Sequence, residues 1–372
     1  MDASNRYQWR AHTSPVNAQW PAVPSLLEDE IISSWLVRCA LKHGCEPTTL
    51  TNDVWPGHRI WCSDPDRCLS PERLKVLSDL SGMTPESLQA STLMPVCRSI
   101  TGDACFAQGT ELWFLCLGVR NRRRCGGLQY CPRCFAEDEP YYRIQGRLAW
   151  HTCCPIHKVI LLDRCESCHA PLCPHLVKPP QEDIGHCHRC AAALSKAIVQ
   201  PESPDAAAFQ AATDRLFGGY TQQYGNVQLD LCAWFELAHW MLGILRSAVR
   251  SANPCISCFF ENLQVNLDTL HQPPTGLRFE LLSPVERANL LSDVWKMISA
   301  GPERLISAAT QYTIRSSLLM PRSCRMPVAL DGLASVLQAR QRGMSGHIHP
   351  DTPRSPASVL MRWNRLLRKF QR

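Results

Sequence analysis

Four short pairs of cysteine and histidine stand at the spacing that a metal ion requires. Cys131 and Cys134 form CPRC, Cys154 and His157 form CPIH, Cys165 and Cys168 form CESC, and Cys187 and Cys190 form CHRC. Two residues between donors place both on one tight turn, where a tetrahedral ion can take them at about 2.3 Å without straining the backbone. Together the pairs supply one set of three Cys and one His and one set of four Cys. Both sets are closed, leaving no position for water, and closed sets are structural rather than catalytic. The expected cofactors are therefore two structural Zn2+ ions.

The order in which the pairs combine stays open, sequential or cross-braced. Cys125, His151, Cys153, His169, Cys173, His175, His186 and His188 lie close enough in sequence to replace a nominated ligand, Cys173 and His175 foremost. A further pair, Cys255 and Cys258, has no second half nearby and reads as small buried apolar residues. Zinc deaminases use a Glu as general acid/base and an open metal position, with His-x-Glu upstream of the CxxC. No such motif precedes Cys131, so Glu137, Asp138 and Glu139 read as surface or capping groups and no enzyme is expected. GxxxxGK[ST] and strand-linked GxGxxG are also missing, so any ATP-driven step falls to a partner.

Composition supports metal over disulfides. The chain of 372 residues holds 21 cysteines, an odd number, and its first twenty residues lack the apolar run of an export signal. In a reducing cytoplasm, the expected location, clustered thiols bind metal. An apolar fraction of 45% with 19% charged residues describes a folded chain, and no apolar run is long enough to expect a membrane span. The net charge of +6 is concentrated: Arg354, Arg362, Arg365, Arg368, Lys369 and Arg372 close the chain without an acid, and Arg120, Arg122, Arg123 and Arg124 precede the cysteine pairs. Such runs suit phosphate backbones or an acidic protein face, and equally a solvated helix face.

Helical elements must position these groups. Residues 1–23 are polar and Pro-containing and read as a loose arm. From 24 to 109, Ile31, Ile32, Trp35, Leu36, Cys39 and Ala40 recur at helical spacing after the acids Glu28, Asp29 and Glu30, with Gly44 as the stop. Ser70 caps a second helix carrying Leu74, Leu77 and Leu80, Gly82 breaks it, and Thr84 starts a third. This is the grammar of a helix-turn-helix, with Arg73, Lys75, Thr84, Ser87 and Gln89 as candidate contacts to nucleic acid or a partner. Residues 110–200 read as short strands and loops held by metal, a small zinc-finger domain. Residues 201–372 are helical again, at Asp230 to Val249, Pro284 to Ile298, Pro302 to Leu319, Pro327 to Arg340 and Ser355 to Phe370. The fold class is thus mainly α, with a zinc-bound centre between two helical domains.

These residues resemble the TniQ family, target-selection proteins of bacterial transposons. The resemblance rests on Tyr130, Cys131, Pro132, Cys134, Glu137, Asp138, Pro140, Tyr141, Arg143, Trp150, Cys154, Pro155, His157, Leu161, Cys165 and Cys168. Upstream, Pro24, Glu28, Asp29, Ser34, Trp35, Leu36 and Arg38 are similar to the opening of the family. Many members carry a Trp where this chain has Gln145 and Gly146, and Cys187 with Cys190 lies beyond a variable loop. The C-terminal half matches no motif residue by residue and is similar only in its helices to members with a second DNA- or partner-binding domain.

The resemblance implies a non-catalytic bacterial adaptor that recruits an AAA+ regulator, TnsC, which calls in the transposase. Some members, TnsD-like, read DNA themselves; others ride, often as homodimers, on Cascade-type effectors with a guide RNA. The chain's length and modest charge lean towards the second mode or a simpler mercury-resistance-type transposon. A zinc-dependent nucleic-acid enzyme and a sequence-specific transcription regulator are the rival readings.

If the closing basic run contacts DNA or a partner, replacing Arg365, Arg368 and Lys369 by Ala weakens binding and flattens its salt dependence. A binding isotherm repeated over a salt series measures the slope; an unchanged slope assigns the segment to packing.

Overall fold

Gly, Pro and short capping residues punctuate the chain into helices, and the molecule is mainly helical. A computed structural model describes residues 19–102, 112–115, 117, 127–181, 183–249, 253–270, 277–319, 326–344 and 363. Arg120, Arg122, Arg123, Arg124, Cys125, Arg362, Arg365, Arg368 and Lys369 lie outside the described residues, as does the helix expected at 355–370 apart from Trp363.

The amino-terminal region packs α1 (Ile32–Lys42), α2 (Pro47–Val54), α3 (Pro71–Ser81), α4 (Pro85–Ala90) and α5 (Met94–Thr101). Trp35, Leu36, Leu50, Leu74, Leu77 and Leu88 share one buried cluster there. The expected caps are in place: the Ser70 hydroxyl accepts from the Arg73 amide, and the Thr84 hydroxyl from the Ser87 amide. Gly82 ends α3 with φ of 72°, a left-handed conformation that glycine adopts without steric cost.

Two details differ from expectation. Residues 19–23 are not all loose, because the Trp20 amide donates to the Leu80 carbonyl at 2.8 Å and its ring packs near Trp35. Glu30, just before the N-cap of α1, does more than face a helix end. It is buried, accepts from the Ser34 hydroxyl at 2.8 Å and pairs with Arg38 at 2.6 Å, while Arg38 also meets Glu139 at 2.9 Å.

Among its described residues the central segment carries one α-helix, α6 (Pro132–Glu137), short 3-10 turns and isolated bridges rather than a sheet. The helical remainder is α7 (Pro204–Phe217), α8 (Leu231–Val249), α9 (Pro254–Asn262), α10 (Pro284–Gln311), α11 (Ser316–Leu319) and α12 (Asp331–Met344). A two-stranded antiparallel hairpin, β1 (Gln222–Tyr224) and β2 (Val227–Leu229), joins α7 to α8. Ser283 and Glu286 form a capping box at the start of α10. The helix breaks at Gly301, φ 79°, before Pro302, where the sequence divides it. The second part stops at Gln311, short of the expected Leu319.

Trp150, fully buried, centres an aromatic cluster that joins the cysteine-rich segment to the carboxy-terminal helices. It stacks on Phe217 at 5.7 Å and meets Phe235 at 5.0 Å; Phe235 contacts Trp113, which contacts Phe279. Two buried guanidinium groups make the polar counterpart. Arg147 pairs with Asp64 at 2.6 Å and with Asp66, and donates to the Leu115 carbonyl at 2.7 Å. Arg287, in α10, donates to the Ala149 carbonyl at 2.5 Å, the Gln129 side chain at 2.8 Å and the Leu282 carbonyl at 3.1 Å. Burial pushes the Asp66 carboxyl up to about 6 despite Arg147, and draws Arg287 down to about 10.

Replacing Arg147 by Met strands two buried carboxylates. Stability should fall by about 3–5 kcal/mol, read from the denaturant midpoint. Adding Asp64→Asn and Asp66→Asn should recover much of the loss, whereas no change from Arg147→Met alone contradicts the assignment.

Candidate metal centre

The local chain builds each ligand pair differently. Cys131 caps α6, so Cys134 follows one helical turn later, and the Phe135 amide returns to the Cys131 carbonyl at 3.2 Å. The other three pairs sit on matching turns. The Cys154 amide donates to Val159, that of Cys165 to Ala170 and that of Cys187 to Ala192, at 2.8, 2.9 and 2.9 Å. Each turn closes through a residue with positive φ four places after its first ligand: Lys158 at 55°, His169 at 55° and Ala191 at 57°. Side chains other than glycine are disfavoured there, so the surrounding turn must hold them.

Two clusters result, and the pairing is sequential. Cys131, Cys134, Cys154 and His157 form one; Cys165, Cys168, Cys187 and Cys190 form the other, each with ligand atoms within 4.8 Å of one another. In the first, Cys134 Sγ stands 3.7 Å from Cys154 Sγ, and His157 Nδ1 lies 3.5, 3.3 and 3.5 Å from the sulfurs of Cys131, Cys134 and Cys154. In the second, Cys165 and Cys190 are 3.7 Å apart, and Cys168 and Cys187 3.6 Å. Those separations suit the edges of a zinc–thiolate tetrahedron, about 3.8 Å for bonds of about 2.3 Å. Both clusters could hold a metal ion.

Without a cation, thiols so close resist ionising together. Hydrogen bonding with Cys131 and Cys154 pushes the Cys134 thiol well up. In the second cluster burial pushes Cys187 up to about 12, while the Ala192 amide and the neighbouring thiols draw Cys190 down to about 7. A divalent ion would remove that conflict by taking the cysteines of each cluster, three in the first and four in the second, as thiolates. Backbone amides already point at sulfur, His157 N at Cys154 Sγ (3.5 Å) and Arg189 N at Cys187 Sγ (3.4 Å).

The competing ligands are placed elsewhere. His151 Nε2 faces Asp214 at 2.9 Å, Cys153 Sγ faces Gln210, His175 stacks on Trp61 at 4.9 Å, and His186 Nδ1 meets Asp183 at 2.9 Å. His169 is a turn residue, and Cys173 and His188 belong to neither cluster. Cys255 and Cys258 lie on α9, exposed and half-buried respectively, so Cys255 is not the buried apolar residue expected.

Sequence reasoning missed one contributor. Glu137 is no idle surface acid, since its Oε2 lies 2.7 Å from His157 Nε2. A carboxylate that accepts the second ring hydrogen fixes the imidazole tautomer and leaves Nδ1 free to bind metal. Glu139, its neighbour, is tied to Arg38.

The candidate nucleic-acid residues that are described lie on α3 and at α4. Lys75, Thr84 and Ser87 are exposed, Arg73 and Gln89 half-buried. The Thr84 hydroxyl bonds the Ser87 amide and hydroxyl, and Arg73 Nη2 lies 3.3 Å from His58 Nδ1. Helix α4 has six residues, PESLQA, with no cation. Among the described residues no helix is long and apolar enough to cross a membrane.

Residues 21–161 match the TniQ family, a span that includes α1 to α6 and the first cluster and stops before Cys165. No curated protein matches the chain.

Cys131→Ser and Cys165→Ser should each lower bound zinc from two ions to about one per chain and lower the thermal midpoint. Metal analysis with a melting curve checks this; unchanged values refute the ligand set. Glu137→Gln should weaken metal binding at the first cluster by about tenfold to a hundredfold while sparing the second, measured by chelator competition.

Proposed function

We propose, from a chain that belongs over residues 21–161 to the TniQ family of transposon-associated targeting proteins, that it is a target-selection adaptor. It links a DNA target complex to the AAA+ regulator TnsC and catalyses no step itself. The target complex in this reading is an RNA-guided Cascade-type effector, which the adaptor joins as a homodimer, or DNA itself. The single observation that carries the reading is the family match over 21–161.

The donor sets support structural zinc. Two closed clusters of three Cys with one His and of four Cys fit two Zn2+ ions. Bound zinc would supply cross-links between turns whose flanking residues, Tyr130, Phe135, Ile160 and Leu172, are buried in the main core. Around the first cluster a small separate apolar group, Val159 and Leu161 with Val199, packs against the thiols themselves. Glu137 orients His157, and the αL residues Lys158, His169 and Ala191 shape the turns that present the donors.

A second reading is a TnsD-like protein that binds DNA directly. It is supported by the capped pair α3 and α4 with its left-handed Gly82 turn, read as a helix-turn-helix, and by exposed Lys75, Thr84 and Ser87. The absence of any cation from α4 makes that helix a weak reader of phosphate and favours the shared mode.

Purification of the tagged chain from its host separates the readings. The regulator ATPase should copurify, and chelation should abolish both that association and the fold. Copurifying Cascade subunits identify the guided mode, whereas salt-resistant binding to one duplex without them identifies the direct mode. Retention of neither the ATPase, nor Cascade, nor a specific duplex would refute the adaptor reading.

A further inference from the structure

A cavity of about 300 Å3 opens onto the first cluster, whose Cys131, Cys134 and Cys154 line it together with the rest of α6, the segment around Tyr141 to Gly146 and the end of α7. Tyr130, Phe135 and Tyr141 give it aromatic faces, and Ile156, which also lines it, is 65% exposed. The walls are held from outside: the Ile31 amide donates to the Tyr142 carbonyl at 3.0 Å, and the Ile144 amide to Asp29 at 2.8 Å. The space is thus a feature of the fold rather than of one side-chain rotamer.

Among its polar groups are two buried acceptors that lack donors, beside the Tyr130 hydroxyl, which is likewise buried without a partner among the described residues. Gln145 donates through Nε2 to Asp29 at 2.8 Å, and its Oε1 is buried with no hydrogen-bond partner among the described residues. His151 is 3% exposed, and its Nε2 must carry the hydrogen shared with the Asp214 carboxylate. In the neutral ring Nδ1 is then a second buried acceptor without a partner. A buried acceptor with no donor keeps its desolvation cost, which an incoming donor would remove.

Charge points the same way. Glu28, Asp29 and Asp214 line the cavity against one guanidinium, Arg143, and that one is engaged. Its Cζ lies 4.5 Å over the Tyr141 ring, and its Nη1 donates to the Glu28 carbonyl at 3.2 Å. Phosphate and carboxylate are repelled from such a space. A planar cation with many donors and an aliphatic stem complements it.

We propose that this cavity receives an arginine side chain presented by a protein partner. The guanidinium offers five N–H donors in a fixed fork and is weakly hydrated, so it can satisfy Gln145 and His151 while facing Asp29 and Asp214. Its stem packs on the aromatic walls, where a cation is also favoured over the ring faces. A lysine offers a compact, strongly hydrated charge and fits less well. The proposal rests on the cavity alone and is independent of the transposition reading.

Acetylated and amidated pentapeptides, with arginine, citrulline or glutamate between two leucines, test it by calorimetric titration into the zinc-loaded full chain. The arginine peptide should bind about tenfold tighter than the neutral isostere citrulline, as expected for a charge-assisted contact, and the glutamate peptide should not bind. Gln145→Leu and Asp29→Asn should each weaken the arginine peptide about fivefold or more with an unchanged melting curve. Asn tolerates the positive φ of 56° at position 29. No binding of the arginine peptide, equal affinity for citrulline, insensitivity to both substitutions, or tighter binding of a short oligothymidylate would overturn the proposal.

Discussion

The guanidinium of Arg147 is the constraint from which much of the architecture follows. It has no solvent exposure, and burial works against its charge, yet Asp64 and Asp66 outweigh that and hold it protonated. Asp66 in turn accepts from the Ser33 amide and hydroxyl, at 2.8 and 2.9 Å, at the start of α1. One side chain therefore sets the amino-terminal helices against the cysteine-rich segment. Ion pairs of this kind add little net stability over an apolar replacement, because desolvation consumes most of their attraction. Their geometry is demanding, however, and here it leaves the two regions a single way to meet.

Arg38 and Arg287 repeat the device at other seams. Arg38 gathers Glu30 and Glu139, placing α1 beside the residues that follow α6. Arg287 reaches from α10 to the backbone at Ala149 and to Gln129. The cysteine clusters then sit on a frame already fixed from three sides. Glu137 brings that order to the metal ligands, because the helix that carries Cys134 also carries the carboxylate that holds His157.

The sequence was most legible where the determinants are local. Ligand pairs are neighbours in the chain, so their spacing alone identifies them, and the Gly301-Pro302 step marks the break in α10. The helical periodicity of α1 and α8 follows from side chains three and four residues apart. Contacts between distant residues were illegible. Asp64 and Asp66 lie in an unremarkable polar loop more than 80 residues from Arg147, and Glu137 reads as one of three surface acids until His157 is folded beside it. The left-handed positions Lys158, His169 and Ala191 gave no signal either, because none is glycine or asparagine. Gly146 carries the opposite lesson: a Cβ there would lie 2.6 Å from the Gln129 carbonyl oxygen, a crowding visible only once the chain is folded.

The reach of Arg287 across to Ala149 and Gln129 bears on how such a chain can diversify. A helical half grafted from elsewhere would need a guanidinium at the same depth, or it would strand two acceptors behind the cysteine turns. Exchange of either half alone would therefore have to preserve that contact.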